Sequence, residues 1–291
     1  MNATALLVLL AAAILHAGWN LLVKQAADKH LFTWWALVAG TVLFSPVLFQ
    51  ATSWPSRIWP YALASALCEA VYFVALATAY RLADFSLAYP LARGTAPLLL
   101  TLGSVVFLKE KLSLGGVLGL SLLILGLLIV GTTGAKRTTR TERTSRTAKT
   151  SWAGISAALA VAVLIALYTV IDGAAVRFVP PGPYNGLVLG LTALFLTPFI
   201  LLRYDRRTLF AEWRRHGWRI VAVGALLLLS YGLVLFAYTF ARVAYAGAVR
   251  EVSVVFAALA GWWWLGEPMG RLRLLGAVLI VFGIGLIALT G

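Results

Sequence analysis

Cysteine is almost absent from this sequence, and acidic residues are scarce. Cys68 is the only cysteine, which excludes an intramolecular disulfide framework and a cysteine-based zinc site. The three histidines, His16, His30 and His216, lie far apart and lack the spacing of metal ligands. A phosphate-binding loop, a dinucleotide fingerprint and a nucleophile elbow are missing as well. We therefore expect no metal site, no cofactor and no catalytic residue.

Charged residues of both signs are few, and hydrophobic residues take their place. Only 12% of the residues are charged and 62% are hydrophobic, and the mean hydropathy is +0.92. A soluble globular domain is about half apolar and about a quarter charged. The composition therefore predicts a protein whose surroundings are the lipid bilayer.

Ten apolar runs approach the length of about 20 residues that a helix needs to span a bilayer. The first run contains His16, Trp19 and Asn20 and has no basic region before it, so we interpret it as a retained helix and not a cleaved signal peptide. The pattern predicts an all-α, polytopic membrane protein with ten transmembrane helices. The runs are residues 3–23, 31–50, 59–80, 86–108, 113–131, 152–174, 184–202, 218–240, 244–265 and 272–290.

The net charge of +14 comes from basic residues in the loops between these runs. We therefore reject nucleic-acid binding. Residues 132–151 are almost all Thr, Ser, Lys and Arg and predict a basic flexible linker. Residues 203–217 are Arg-rich and predict a short amphipathic segment at the headgroup level. Odd-numbered loops hold most of the Lys and Arg residues, which predicts that these loops are cytoplasmic, that both termini are outside, and that the protein is multi-pass in the inner membrane.

The linker separates two halves of five runs, residues 1–131 and 152–291, that resemble each other. At one offset of 157 residues, Arg93 aligns with Arg250, and Glu110 aligns with Glu267. Matches in the right order indicate a duplication. A unit of five spans ends on the opposite side from its start, so the second copy must insert upside down. The sequence thus predicts two inverted five-helix repeats, an arrangement that transporters commonly use for alternating access.

Five charged residues stand out inside the predicted spans, where each costs about 2.5–3.5 kcal/mol on insertion scales. They are Glu69, Arg93, Asp172, Arg250 and Glu251. The inverted repeat would bring both arginines towards one central cavity, where two guanidinium groups can bind a carboxylate or phosphate. The alternative is that each arginine pairs with one of the acids and only fixes helix packing. Glu69 or Asp172 could also bind a coupling proton.

Further polar residues share helix faces with these charges. His16, Asn20 and Lys24 recur every four residues, and Tyr168 and Asp172 do the same in the sixth run. We expect these faces to line the cavity, although hydrogen bonds between helices would also explain them.

Other residues predict structural features. Pro90 and Pro97 can kink the fourth span beside Arg93. Glu110 and Glu267 could accept hydrogen bonds from the amides that open the fifth and tenth helices. Three glycines of the tenth run suit close helix packing, namely Gly276, Gly283 and Gly285.

The sequence resembles the EamA branch of the drug/metabolite transporter superfamily. The resemblance rests on the ten-run layout and on His-Ala-Gly-Trp-Asn at 16–20, Tyr-Pro-Leu-Ala-Arg-Gly at 89–94 and Tyr-Thr-Val-Ile-Asp-Gly at 168–173. It implies inverted five-helix repeats around a substrate cavity, and the movement of metabolites, often by export of amino acids or related compounds. The substrate-binding residues that we expect are Arg93, His16, Asn20, Tyr89, Glu69, Tyr168, Asp172 and Arg250.

We therefore expect a secondary transporter, an exporter or exchanger, of a small polar metabolite such as an amino acid or organic anion. Its expected partners are the substrate and the lipid bilayer, and coupling to a proton is left open. A membrane-embedded enzyme would need a clustered acid, base or metal, which the scattered ionisable residues do not form. A non-transporting subunit would have little reason to keep charges inside its spans.

Overall fold

The computed structural model describes residues 1–48, 54–82, 85–141, 152–256, 259 and 270–291. Within these ranges it gives the side chains of all residues except 24, 77–78, 80–82, 85–90 and 131–141. All of the regular secondary structure in this part of the chain is helical, as the apolar runs predict.

Eleven helices are defined in these ranges. They are α1 (Ala3–Lys24), α2 (Lys29–Leu43), α3 (Ser45–Leu48), α4 (Ile58–Leu82), α5 (Phe85–Phe107), α6 (Leu114–Thr141), α7 (Trp152–Ala175), α8 (Pro181–Arg203), α9 (Arg206–Tyr238), α10 (Val243–Arg250) and α11 (Arg271–Thr290).

Six helices in the described part of the chain are long and apolar enough to cross a membrane, namely α1, α4, α7, α8, α9 and α11. Shorter apolar stretches lie in α5 and α6. Large apolar side chains point outwards from several of these helices, and Leu202 and Leu289 are 89% and 86% exposed. An exposed apolar surface on this scale suits lipid and not water.

The second apolar run forms two helices, and not the single span that we expected. Helix α2 ends at Leu43, and α3 begins at Ser45. Pro46 has no backbone N–H for the carbonyl of Val42, and the Ser45 hydroxyl donates to that carbonyl instead, at 2.8 Å. The break therefore follows from one proline and is stabilised by the serine before it.

The ninth run is also interrupted, where the sequence predicts one span over 244–265. Helix α10 ends at Arg250, and helical structure resumes at residues 253–256. The amides of Glu251 and Val252 donate three residues back, to Ala248 and Val249, at 3.0 Å each. The β-branched valines in this stretch are stiff and lower its helix propensity. The chain is thus distorted at the two consecutive charged residues.

Two other boundaries differ from the expected ones. Residues 132–141 of the expected linker continue helix α6 up to Thr141, because each added helical residue completes a backbone hydrogen bond at little cost. Residues 203–217 are not a separate amphipathic segment, since all but the first three belong to the 33-residue helix α9. Asp205 begins α9 by accepting a hydrogen bond from the Thr208 amide at 3.0 Å.

Helix α5 is continuous through Pro90 and Pro97, the two prolines that can kink it.

Helices of the first half pack mainly against helices of the second half. Helix α1 packs on α9, and α4 packs on α7. Helix α2 likewise packs on α9, and α4 packs on α8. The pairs α6–α11, α2–α8 and α5–α10 also contact each other. The two halves are equivalent in this respect. If α1, α2, α4, α5 and α6 change places with α7, α8, α9, α10 and α11, in that order, the pairs named above remain the same.

Glycines allow close contact between α6 and α11. A Cβ atom added to Gly126 would lie 2.6 Å from the carbonyl oxygen of Gly276, and one added to Gly283 would lie 2.6 Å from that of Gly119. The expected close packing is therefore found at Gly276 and Gly283. It is wrong for Gly285, which has no heavy atom of a neighbour within 4 Å of an added Cβ.

Candidate functional site

One carboxylate lies between two arginine side chains where α5 meets the end of α10. Nη1 of Arg93 lies 3.1 Å from Oε2 and 3.4 Å from Oε1 of Glu251. Nη2 of Arg250 lies 3.5 Å from the same Oε1. The two arginines that the repeat aligns in sequence thus contact one acid. That acid, Glu251, is not among the substrate-binding residues that we predicted.

These charges are removed from water to different degrees. The side chains of Glu251 and Arg250 are 3% and 7% exposed, whereas that of Arg93 is 21% exposed. Nε of Arg250 has no hydrogen-bond partner in the described part of the chain. The attraction within an ion pair is stronger in surroundings of low polarity, and a buried donor without a partner is costly. The arrangement therefore holds a carboxylate and has spare donor capacity for another acceptor.

Asp172 is fully buried and accepts hydrogen bonds from two tyrosines. The Tyr184 hydroxyl donates to Oδ1 at 2.7 Å, and the Tyr231 hydroxyl donates to Oδ2. These tyrosines come from α8 and α9, and we did not predict either of them. No local spacing relates them to Asp172, because the contacts arise only when three helices pack together.

Glu69 is 6% exposed and lies beside Thr192 of α8. The Thr192 hydroxyl is 3.1 Å from Oε2 of Glu69 and 2.9 Å from the Val188 carbonyl oxygen. The charge of Glu69 interacts with those of Asp172 and Arg250. These three buried groups therefore lie near enough to influence one another.

His16 faces the same cluster from α1. Its charge would interact with Arg93 and Arg250, and its Nε2 atom is buried without a hydrogen-bond partner among the described residues. Asn20 has a different environment, because its side-chain amide donates to the His16 carbonyl of its own helix at 2.7 Å. That bond lies within α1, so it supports neither cavity lining by Asn20 nor the alternative of a hydrogen bond between helices.

Aromatic rings line the other side of the cluster. The ring centroids of Tyr168 lie 6.2 Å from those of both Tyr72 and Tyr231, in edge-to-face geometry. Tyr168 interacts electrostatically with Arg250, Glu69 and Arg93. The side chain of Tyr89, another expected binding residue, lies outside the described part of the structure.

Glu110 caps a helix, but a different one from the helix that we expected. Its two carboxylate oxygens accept hydrogen bonds from the amides of Val243 and Ala244, at 2.6 and 3.1 Å. These amides open α10 in the second half, whereas the sequence suggested the helix that follows Glu110 directly. The negative charge suits the positive end of that helix. The equivalent Glu267 lies outside the described residues.

A cavity of about 490 Å³ opens at the end of the molecule that carries both termini. Lys109, Arg177 and Arg242 contribute positive charge to its lining, and none of the eight expected binding residues lines it. Tyr238 lines it as well, and the buried hydroxyl of Tyr238 interacts electrostatically with Arg250. Tyr238 therefore stands between this cavity and the central charges.

Apolar helices of spanning length around buried, interacting charges define a multi-pass helical membrane protein. The model of the EamA-like transporter family matches residues 3–132 and again residues 152–289. The chain belongs to this family, and it is therefore a membrane transporter of the drug/metabolite type. The family predicted from the short sequence phrases is confirmed.

A comparison with solved structures agrees on the fold. One of them, described only as the crystal structure of a protein, has a TM-score of 0.77, with 21% sequence identity over 99% of this chain and 98% of the other. At that identity the likeness shows the fold alone. No curated protein matches the chain significantly.

Proposed function

We propose that this chain is a secondary transporter, an exporter or exchanger in the inner membrane, for a small polar metabolite that carries an anionic group. The observation that supports the proposal is the Glu251 carboxylate held by Arg93 and Arg250. Both guanidinium groups already bind one carboxylate in this position. A substrate carboxylate can replace that of Glu251, because it offers the same two-oxygen geometry.

Buried polar atoms without partners support a ligand at this place. Among the described residues, Nε of Arg250, Nε2 of His16 and the hydroxyl of Tyr238 lack a hydrogen-bond partner. All three surround the ion cluster, since His16 and Tyr238 both interact with Arg250. Buried polar groups are normally hydrogen-bonded. We infer that a polar substrate supplies the partners when it binds.

The repeat architecture gives this site a route to both sides. We propose ten spans in two inverted repeats, residues 1–131 and 152–291, that move relative to each other by alternating access. The set of helix pairs that stays the same when the two halves change places supports this arrangement. Because Arg93 and Arg250 come from different repeats, separation of the repeats would separate them, and substrate release would follow.

The test uses purified protein and a defined panel of amino acids, dicarboxylates and sugar phosphates. A compound that raises the melting temperature is then measured by counterflow in proteoliposomes. Arg93→Ala abolishes both the stabilisation and the counterflow, while the variant still inserts. Arg207→Ala removes an exposed guanidinium at the start of α9 and serves as the matched control, with unchanged counterflow. Full counterflow by Arg93→Ala would refute the proposed role, and turnover of added lipid would indicate an enzyme instead.

A further inference from the structure

The central cluster has one negative charge too many if all of its groups are ionised. Among the described residues it contains the carboxyl groups of Glu69, Asp172 and Glu251, and the guanidinium groups of Arg93 and Arg250. The imidazole of His16 also faces the cluster and is counted as neutral, because its positive form would be repelled by both arginines. An uncompensated buried charge is costly, and a bound proton removes it. One of the three carboxyl groups is therefore expected to carry a proton.

Hydrogen-bond donors show that Glu251 and Asp172 are the ionised acids. Among the described residues, the donors that Glu251 contacts are the positive guanidinium groups of Arg93 and Arg250. Asp172 accepts from the hydroxyl groups of Tyr184 and Tyr231. Each of these phenols has a single proton to donate. Tyr184 donates to one carboxylate oxygen of Asp172, and Tyr231 donates to the other. A carboxylate with a donor on each oxygen is stabilised in its charged form.

The surroundings of Glu69 favour its protonated form instead. The Thr192 hydroxyl has one proton but lies near three oxygens, at 2.9 Å from Val188 O, 3.1 Å from Glu69 Oε2 and 3.5 Å from Ala66 O. A helical threonine commonly donates to the carbonyl four residues back, which here is that of Val188. The Thr192 oxygen is then left as an acceptor. In that arrangement a proton on Oε2 of Glu69 makes the 3.1 Å contact favourable, whereas an ionised Glu69 would need the Thr192 proton for itself.

We propose that Glu69 is a proton-binding site, which is occupied at neutral pH and donates a hydrogen bond to Thr192. The proton makes the five charged groups neutral in total. The inference extends the proposed transport function, for which it names the coupling ion, but its test does not depend on transport. The groups that face or interact with Glu69 are Asp172 and Tyr168 of α7, Tyr184 of α8, Tyr231 of α9, Arg250 of α10, and Cys68 and Tyr72 of its own helix.

Infrared spectroscopy of the full-length protein tests this site directly. The measurement is made at neutral pH in dodecyl maltoside, a detergent without a carbonyl group, so that the C=O stretch of a protonated carboxyl is visible. The wild-type protein shows this band, and D₂O moves it to lower frequency. Glu69→Gln removes the band, whereas the control Asp205→Asn, which changes an exposed acid outside the cluster, keeps it. Absence of the band in the wild type, its persistence in Glu69→Gln, or its loss in Asp205→Asn overturns the proposal.

A second variant decides the question if Glu69→Gln does not fold. Thr192→Val has nearly the same shape but cannot accept a hydrogen bond, so the C=O band moves to higher frequency if Glu69 donates to Thr192. An unchanged band position overturns the proposal. Failure here is distinguishable from failure of the transport proposal, because the Arg93→Ala counterflow experiment does not involve the infrared band.

Discussion

Arg93 and Glu251 are joined by a 3.1 Å contact although 158 residues separate them in the chain. The contact connects α5 of the first half with the end of α10 of the second half. The next residue before Glu251, Arg250, is the counterpart of Arg93 in the repeat, and it contacts the same carboxylate. Both copies of the duplicated arginine thus contact one acid. That acid exists in the second copy only, because Gly94 stands at the equivalent position in the first.

Removal of the Glu251 charge should destabilise the protein strongly. Glu251→Gln leaves Arg93 and Arg250 without their carboxylate, and loss of one partner of a buried ion pair costs about 3–5 kcal/mol. We expect a corresponding fall in the free energy of unfolding, measured by SDS titration in mixed micelles.

Glu212→Gln is the control for this change. Glu212 lies near the start of α9 and makes no ion pair in the described part of the chain, so its free energy of unfolding should change little. Equal effects of the two substitutions would show that the Glu251 contacts do not stabilise the fold.

The tyrosines around Asp172 give a second matched pair. Tyr231→Phe removes one of the two donors to a buried carboxylate, which costs about 1–3 kcal/mol. Tyr238→Phe removes a hydroxyl of the same helix that has no hydrogen-bond partner among the described residues, and should be neutral or slightly stabilising. Thermal unfolding in detergent measures both variants. A larger loss for Tyr238→Phe would contradict the assignment of donors.

The sequence was sufficient for the helical class, the family and the candidate charges, because charges inside apolar runs are visible without a structure. It was not sufficient for Tyr184 and Tyr231. Tyrosine is common in membrane helices, and only the packing of α7, α8 and α9 shows that these two reach Asp172. The partner of Glu110 was missed for the same reason, since the opening of α10 is distant in the chain.

The interruptions of helices were partly visible in the sequence. Pro46 marks the break between α2 and α3, whereas Pro90 and Pro97 lie in a helix that remains continuous. The end of α10 at Arg250 had no such marker. It depends on backbone hydrogen bonds between residues three apart, which a Val-rich sequence alone does not predict. Proline therefore indicates where a helix is weakened, and tertiary contacts decide whether it breaks.

Two glycines two residues apart on α11 should differ in their response to alanine. A methyl group at Gly283 would lie 2.6 Å from the Gly119 carbonyl oxygen, and the resulting overpacking costs about 1–3 kcal/mol. A methyl group at Gly285 meets no neighbour within 4 Å, and the better helix propensity of alanine gives up to about 1 kcal/mol of stabilisation.

The measurement is the melting temperature of Gly283→Ala and Gly285→Ala in the same detergent. We expect a decrease for the first and no decrease for the second. Similar melting temperatures would mean that α6 and α11 can separate far enough to accept a methyl group.

The two ends of α9 should lie on opposite sides of the membrane. Its 33 residues make a helix of about 50 Å, which is longer than the hydrocarbon core of about 30 Å. Thr208 in its first turn and Thr239 just after its last residue are both exposed. The basic loop before α9 is expected in the cytoplasm by the positive-inside rule.

Cysteine labelling measures this orientation in a Cys68→Ser background. A membrane-impermeant maleimide added to intact cells should react with Thr239→Cys, and should react with Thr208→Cys only after the membrane is permeabilised. The reverse pattern would place the termini in the cytoplasm and invert the proposed topology. Reaction of both variants from outside would show that α9 does not span the membrane, and the arrangement of ten spans would then be wrong.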